Sequence, residues 1–207
     1  MTDRSLVRLY WPVELRPAFD ALFAIDDAMG DVVAKATEPA LAAIKLAWWR
    51  DRLEELDEGK VPAEPRLEAA VEALLPRGIS GAAMAAIEDG WAALLEKQQD
   101  SERVADRGAK LFGIASTLLG PVDPIAAIAG RLYATTSAAR RGLAPMALTE
   151  RELRQVAHRR FPKAVRPLTG LAALAARDSR RGPAIEQEGT PGRAMTLLRH
   201  RLTGRIA

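Results

Sequence analysis

Residues 20–56 read DALFAIDDAMGDVVAKATEPALAAIKLAWWRDRLEEL, and this stretch decides the fold. It holds two helical patterns joined at Thr37-Glu38-Pro39. At about 100° per residue, Phe19, Leu22, Phe23, Ile25, Met29, Val32 and Val33 share one broad apolar arc. Asp26 falls inside that arc, while Asp20, Asp27 and Asp31 form a narrow stripe beside it. Asp27 and Asp31 are spaced i,i+4, so their carboxylates stack and repel in a bare helix. Two chemistries relieve that repulsion. A hard divalent cation such as Mg²⁺ takes carboxylate oxygens and bridges them to phosphate, or Asp31 pairs with Lys35 one turn on while Asp27 stays in water. Asp26 has fewer options. A carboxylate on an apolar arc must be paired, metal-bound or protonated.

The second pattern is apolar over much of its circumference, through Leu41, Ile44, Trp48, Trp49, Leu53 and Leu56. Lys45 and Arg52 project from that zone. They can neutralise Asp26, face an anionic ligand, or lay their stems on apolar surface with wet heads. Pro39 suits a first helical position and Gly59 a left-handed stop.

Outward from this centre, the patterns continue helical. Ser80 is a candidate N-cap for a helix running from Gly81 to about Gln98. Residues 100–119 form another, stopped by Gly120-Pro121, and Asp123-Pro124 opens one that reaches Arg140-Arg141-Gly142. Thr149 resembles the start of a capping box before a basic helix holding His158-Arg159-Arg160. Leu168 to Ala176 is a small apolar helix, Ser179 to Gly192 reads as a mobile loop, and Arg193 to Arg205 as a basic amphipathic helix. No strand-like alternation of useful length and no repeat appears. The expected fold is all-α: one single-domain helical bundle spanning residues 1–207.

Composition narrows function. The 207-residue chain has 48% hydrophobic residues and no cysteine, which excludes disulfides, thiolate metal sites and a cysteine nucleophile. No apolar run reaches the roughly 18 residues of a membrane span, and the amino terminus lacks the apolar region of a secretory signal. A cytoplasmic protein is expected, in one reading peripheral at the inner face of the membrane. The net charge of +3 conceals a division. Residues 1–130 carry 14 Lys+Arg against 22 Asp+Glu; residues 131–207 carry 16 against 5. A basic end seeks an anionic partner, be it a membrane surface, nucleic acid, a diphosphate or the chain's own acidic half. Nucleic acid is disfavoured, because the basic end lacks interleaved aromatics for stacking. His158 and His200, the only histidines, have no acid in metal-ligand spacing.

The run Leu46-Ala47-Trp48-Trp49-Arg50-Asp51, following the D-x-x-x-D helix of Asp27 and Asp31, resembles the amino-terminal part of the squalene/phytoene synthase family. Leu118-Leu119-Gly120 and the later Ala139-Arg140-Arg141-Gly142 extend the likeness. The resemblance implies an isoprenoid synthase fold in which Mg²⁺ ions, clamped by carboxylates from two facing helices, draw diphosphate from prenyl diphosphates joined head to head. It places Asp27 and Asp31, with Asp26 adjacent, at the first carboxylate motif. It places Arg140 and Arg141 at the basic turn after the second.

This chain departs from the family's pattern. A cavity-facing Tyr is replaced by the neighbourhood Glu102-Arg103-Val104. Where the second acidic motif belongs stands Tyr133-Ala134-Thr135-Thr136-Ser137-Ala138-Ala139, and no acid occurs between Asp123 and Glu150. The shortfall against longer family members lies after Gly142. Three readings follow. The chain is a compact member without the second metal site, acting as a binding or assembly factor, as a degenerate branch of the family does for respiratory complex I. It is a prenyl transferase with unusual ligands. Or it is a basic helical module on anionic membrane, with Arg193 to Arg205 on the lipid surface.

Overall fold

A computed structural model describes residues 2–120, 124–181 and 186–206. The helices are α1 (Asp3–Arg8), α2 (Arg16–Ala34), α3 (Pro39–Glu55), α4 (Pro65–Ala73), α5 (Gly81–Ala85), α6 (Glu88–Ala92), α7 (Ser101–Leu119), α8 (Pro124–Arg140), α9 (Glu150–Val156), α10 (Arg166–Arg181) and α11 (Pro191–Thr203). Among the described residues the only β pairing is an isolated bridge between Arg160 and Arg205. The all-α expectation holds. No single helix among them is long and apolar enough to cross a membrane.

Helix α2 is the axis of the bundle, touching α3, α4, α6 and α7. Its arc is buried as the period requires: Phe19, Leu22, Phe23, Ile25 and Met29 have no exposure. Each such side chain contributes about 2 kcal/mol through removal from water. Phe19 stacks between Trp11 and Phe23, with ring centroids 4.7 and 4.6 Å away.

The closest pairing is α7 against α8. It depends on two glycines. A Cβ on Gly108 would lie 1.9 Å from the Gly130 carbonyl oxygen, and one on Gly130 would lie 2.0 Å from that of Gly108. Backbone therefore meets backbone, and α8 is drawn in until its carboxyl-terminal half faces α2. Helix α10 then covers α8, and α11 and α1 close over α10.

Several local expectations change. Ser80 does cap, accepting from the Ala83 amide at 3.1 Å. The helix behind it, however, breaks into α5, α6 and a 3-10 turn at Ala93–Leu95. The break lets Gly81 lie against the Leu53 carbonyl and Gly90 against Arg107, contacts a continuous rod would not make together. Thr149 makes no cap bond; its hydroxyl donates to the Met146 carbonyl at 2.8 Å. Residues 158–160 are not helical, and His158 takes a left-handed φ of 65°. Ser179 to Arg181 continue α10, residues 182–185 lie outside the described residues, and Glu186 is held by Arg177 and Thr190. Asp123 also lies outside the described residues.

Candidate functional site

Asp27 and Asp31 open onto the side of the bundle where α2 faces the end of α8. Their partner is arginine. Arg141, just past α8, donates Nη2 to Asp27 Oδ1 at 2.8 Å and Nη1 to Asp31 Oδ1 at 2.9 Å. Arg4 of α1 reaches Asp27 from the other side, Nη2 to Oδ1 at 3.0 Å and Nη1 to Oδ2. Asp31 Oδ2 accepts from Lys35 Nζ at 2.9 Å. All four carboxylate oxygens of the ledge thus accept from cationic N–H groups. The Lys35 and Arg141 hydrogen bonds hold the Asp31 carboxyl below its ordinary range.

Gly30 permits this arrangement. A Cβ there would lie 2.8 Å from the Trp91 ring and 3.1 Å from Arg141 Cζ. A helix-interior glycine costs about 1 kcal/mol relative to alanine. Here it lets one guanidinium lie flat across two stacked acids, the place a divalent cation would need.

Behind the ledge lies a second charged layer, fully buried. Asp26 is 1% exposed and Arg107 has no exposure. Asp26 Oδ1 accepts from Trp91 Nε1 at 2.9 Å and from Arg107 Nη1. Arg107 Nη2 donates to the Ala134 carbonyl at 3.1 Å, and its Cζ sits 3.7 Å above the Trp91 ring. The unit fastens α2, α6, α7 and α8 together. Asp26 is therefore a structural ion-pair partner and not an open metal ligand, because its low-dielectric site already holds a cation.

Lys45 and Arg52 do not neutralise it. On α3 the buried side is Ala42, Leu46, Trp49 and Leu53. Lys45 is exposed beside the outward row Leu41, Ile44 and Trp48, and Arg52 pairs with Glu55 at 2.8 Å. Burying Leu46, Trp49 and Leu53 against the bundle turns Leu41, Ile44 and Trp48, with Lys45, to solvent and leaves Arg52 half-buried beside Glu55.

A cavity of about 440 Å³ lies above Asp27, walled by Arg4, Tyr133, Thr136, Ser137, Arg140, Leu171 and Leu174. Four carboxylates (Asp3, Asp27, Asp178, Glu188) and four guanidiniums (Arg4, Arg140, Arg141, Arg193) line it, so it carries no net charge. Arg140 donates to Asp178 at 2.9 Å and to the Glu186 carbonyl at 3.2 Å. Arg193, 1% exposed, joins Asp178 to Asp3. Burial pushes the Tyr133 phenol up, so it stays neutral and accepts from Arg4 at 3.2 Å. Thr136 Oγ1 is buried there and finds no hydrogen-bond partner among the described residues.

The structure thus brings Asp27, Asp31, Arg140 and Arg141 to one region; Arg52 lies outside it, and Lys45 reaches the edge of the ledge only at a separate cavity of about 260 Å³ that it lines with Asp31 and Lys35. A hard divalent cation prefers several free oxygen donors. Among the described residues no group of three or more His, Asp or Glu is placed to hold one, and the two ledge acids are saturated by guanidinium and ammonium. This donor set does not fit Mg²⁺.

Arg4 and Arg107 are the functional partners that sequence reading misses. Arg107 looks like a surface partner of Asp106, yet it shares the spacing of Val104, Gly108 and Leu111 on the buried face of α7. A cation on that apolar face requires an internal acid, and Asp26 is the acid on the apolar face of α2.

The family model for squalene/phytoene synthase matches residues 2–108, a span that includes the carboxylate helix, the tryptophan helix and Arg107. No curated protein and no solved structure matches the chain. With half of the sequence matched and an all-α, isoprenoid synthase-like bundle around the ledge, this chain belongs to the squalene/phytoene synthase family.

Proposed function

We propose that this protein keeps the family's helical scaffold, uses its acidic ledge to hold the bundle together, and works as a binding or assembly factor. The single observation behind this reading is that every oxygen of Asp27 and Asp31 accepts from Arg4, Lys35 or Arg141. Metal-assisted loss of diphosphate depends on free carboxylates and on positive charge aimed at the leaving group. Here the carboxylates and the arginines spend that charge on each other. Cavity size argues the same way. About 440 Å³ is at the lower end for a site holding one ligand, whereas head-to-head coupling seats two prenyl diphosphates. The outward row Leu41, Ile44 and Trp48 on α3, 52%, 65% and 42% exposed, supports the binding role. A contiguous exposed apolar patch marks a site of contact with a protein or a membrane. An assembly role for a respiratory complex, as in the degenerate branch of the family, is the specific form of this reading.

The test is incubation of the purified chain with Mg²⁺ and farnesyl or geranylgeranyl diphosphate, following diphosphate release. No turnover is expected, together with no Mg²⁺-dependent rise in Tm. Ready turnover overturns the reading. Recovery of a respiratory-complex subunit with the wild type, lost in Trp48→Ala, supports the assembly role.

A further inference from the structure

Helices α10 and α11 build a second charged feature on the far side of α10 from the ledge cavity. A groove of about 260 Å³ between them is lined by Arg177, Arg180, Arg181, Arg199 and Arg205, with the Thr196 hydroxyl at its wall. Glu186 answers two of the five, accepting from Arg177 at 2.7 Å and pairing with Arg181 at 2.8 Å. The side chains of Arg180, Arg199 and Arg205 have no hydrogen-bond or ion-pair partner among the described residues. Arg180 is partly desolvated, and burial alone lowers its pKa. Five guanidiniums line the groove and only two of them meet a carboxylate among the described residues, so they repel one another and favour an anion between them.

What borders the groove identifies the anion's carrier. On α11, Met195, Leu198 and Leu202 recur at i, i+3 and i+7 and form one outward stripe, 63%, 43% and 70% exposed. The opposite side of the helix buries Arg193, Leu197 and His200. Arg199 stands at the margin of the stripe that borders the groove. Arg201 stands at the other, its Cζ 4.6 Å from the Tyr10 ring. An aliphatic stripe edged on both sides by arginines is the design of a helix that lies in a lipid interface. A soluble phosphate compound would use the groove and leave the stripe wet. Single-stranded nucleic acid would need exposed aromatic rings for stacking, and this face offers aliphatic ones.

We propose that α11 and the arginine groove form a docking surface for an anionic phospholipid bilayer. The stripe Met195, Leu198 and Leu202 enters the acyl boundary, and a headgroup phosphate sits among Arg180, Arg199 and Arg205. The ledge cavity plays no part in this contact.

Co-sedimentation of the full chain with vesicles tests it, comparing phosphatidylglycerol–phosphatidylcholine mixtures with pure phosphatidylcholine. Retention is expected on the anionic vesicles only, and it falls as salt rises. Arg180→Gln with Arg199→Gln lowers retention about tenfold or more. Leu198→Gln with Leu202→Gln lowers it comparably, and neither pair lowers Tm, since the two leucines are exposed and the two arginines have no partner among the described residues. Calorimetry with inorganic phosphate is the second arm. Tight phosphate binding without vesicle retention assigns the groove to a soluble anion and overturns the proposal. Equal retention on phosphatidylcholine, retention unaffected by either pair, or an effect of only one pair overturns it as well.

Discussion

Arg141 Nη2 lies 2.8 Å from Asp27 Oδ1, joining residues 114 positions apart in the chain. The same guanidinium reaches Asp31 with its other nitrogen, so one side chain replaces repulsion between two stacked acids with two charge-assisted hydrogen bonds. From this relation and its neighbours, four outcomes are expected.

Arg4→Gln with Arg141→Gln frees the ledge. The variant should lose about 1–3 kcal/mol in urea unfolding, because Asp27 then has no cation and Asp31 keeps only Lys35. It should also gain a Tm rise with millimolar Mg²⁺ that the wild type lacks, since an ion that binds only the folded state stabilises it. Identical Mg²⁺ responses in the two proteins contradict the view that arginine occupies the cation's place.

The buried pair beneath the ledge makes a larger demand. Asp26→Asn leaves Arg107 charged in a site without exposure. A loss of about 3–5 kcal/mol is expected in denaturant unfolding, the cost of an uncompensated buried charge. Arg107→Leu should cost a similar amount by stranding Asp26. A double replacement that removes both charges should cost less than the two single losses added, which a double-mutant cycle measures directly.

Gly108→Ala tests the α7–α8 contact on which the site geometry rests. The new methyl would meet the Gly130 carbonyl at 1.9 Å, and neither backbone can yield without separating the helices. Destabilisation of about 3 kcal/mol is expected. Gly30→Ala should cost less, because the atoms it meets, the Trp91 ring at 2.8 Å and the Arg141 guanidinium at 3.1 Å, belong to side chains and not to backbone. Its distinguishing mark would be partial loss of the Arg141 pairing, visible as a shallower fall of stability in acid, because the Asp31 carboxyl is then held less far below its ordinary range.

Stability should also fall below neutral pH through His200. The ring is 1% exposed, its Nδ1 donates to the Arg205 carbonyl at 3.1 Å, and Nε2 lies 2.8 Å from the Thr169 hydroxyl. Burial is the main cause holding its pKa down, to about 4 from the ordinary 6.5, and Arg166 adds to it. Between these values the unfolded chain binds a proton that the folded chain refuses. His200 therefore contributes fully above pH 6.5, and the contribution is lost as pH falls toward 4. The loss reaches about 3 kcal/mol. Urea unfolding at pH 7, 5.5 and 4.5 should show it, and His200→Asn should flatten that slope. Glu186, held down to about 2 chiefly by Arg177, adds a separate decline below pH 4.5.

Much of the architecture was legible in residues 19–59. The apolar arc of α2, the proline start of α3 and the glycine stop at Gly59 all stand as read. Each is a local matter of period, φ preference or capping. The long helix expected after Ser80 was less legible, because its breaks answer to Leu53 and Arg107, which lie elsewhere in the chain. Lys45 and Arg52 misled for a related reason. When a helix is apolar nearly all round, period alone cannot say which side the bundle will bury.

By itself the sequence determined an all-α bundle, an acidic ledge at i,i+4, and the absence of acids where a second carboxylate motif belongs, since these are properties of residue order along single helices. Only the tertiary structure decided what meets that ledge. Arg4, Arg107 and Arg141 come to Asp27 and Asp26 from 23, 81 and 114 residues away. Charge pairing acts through space, and the distances that govern it are set by glycine-mediated helix approach across the bundle.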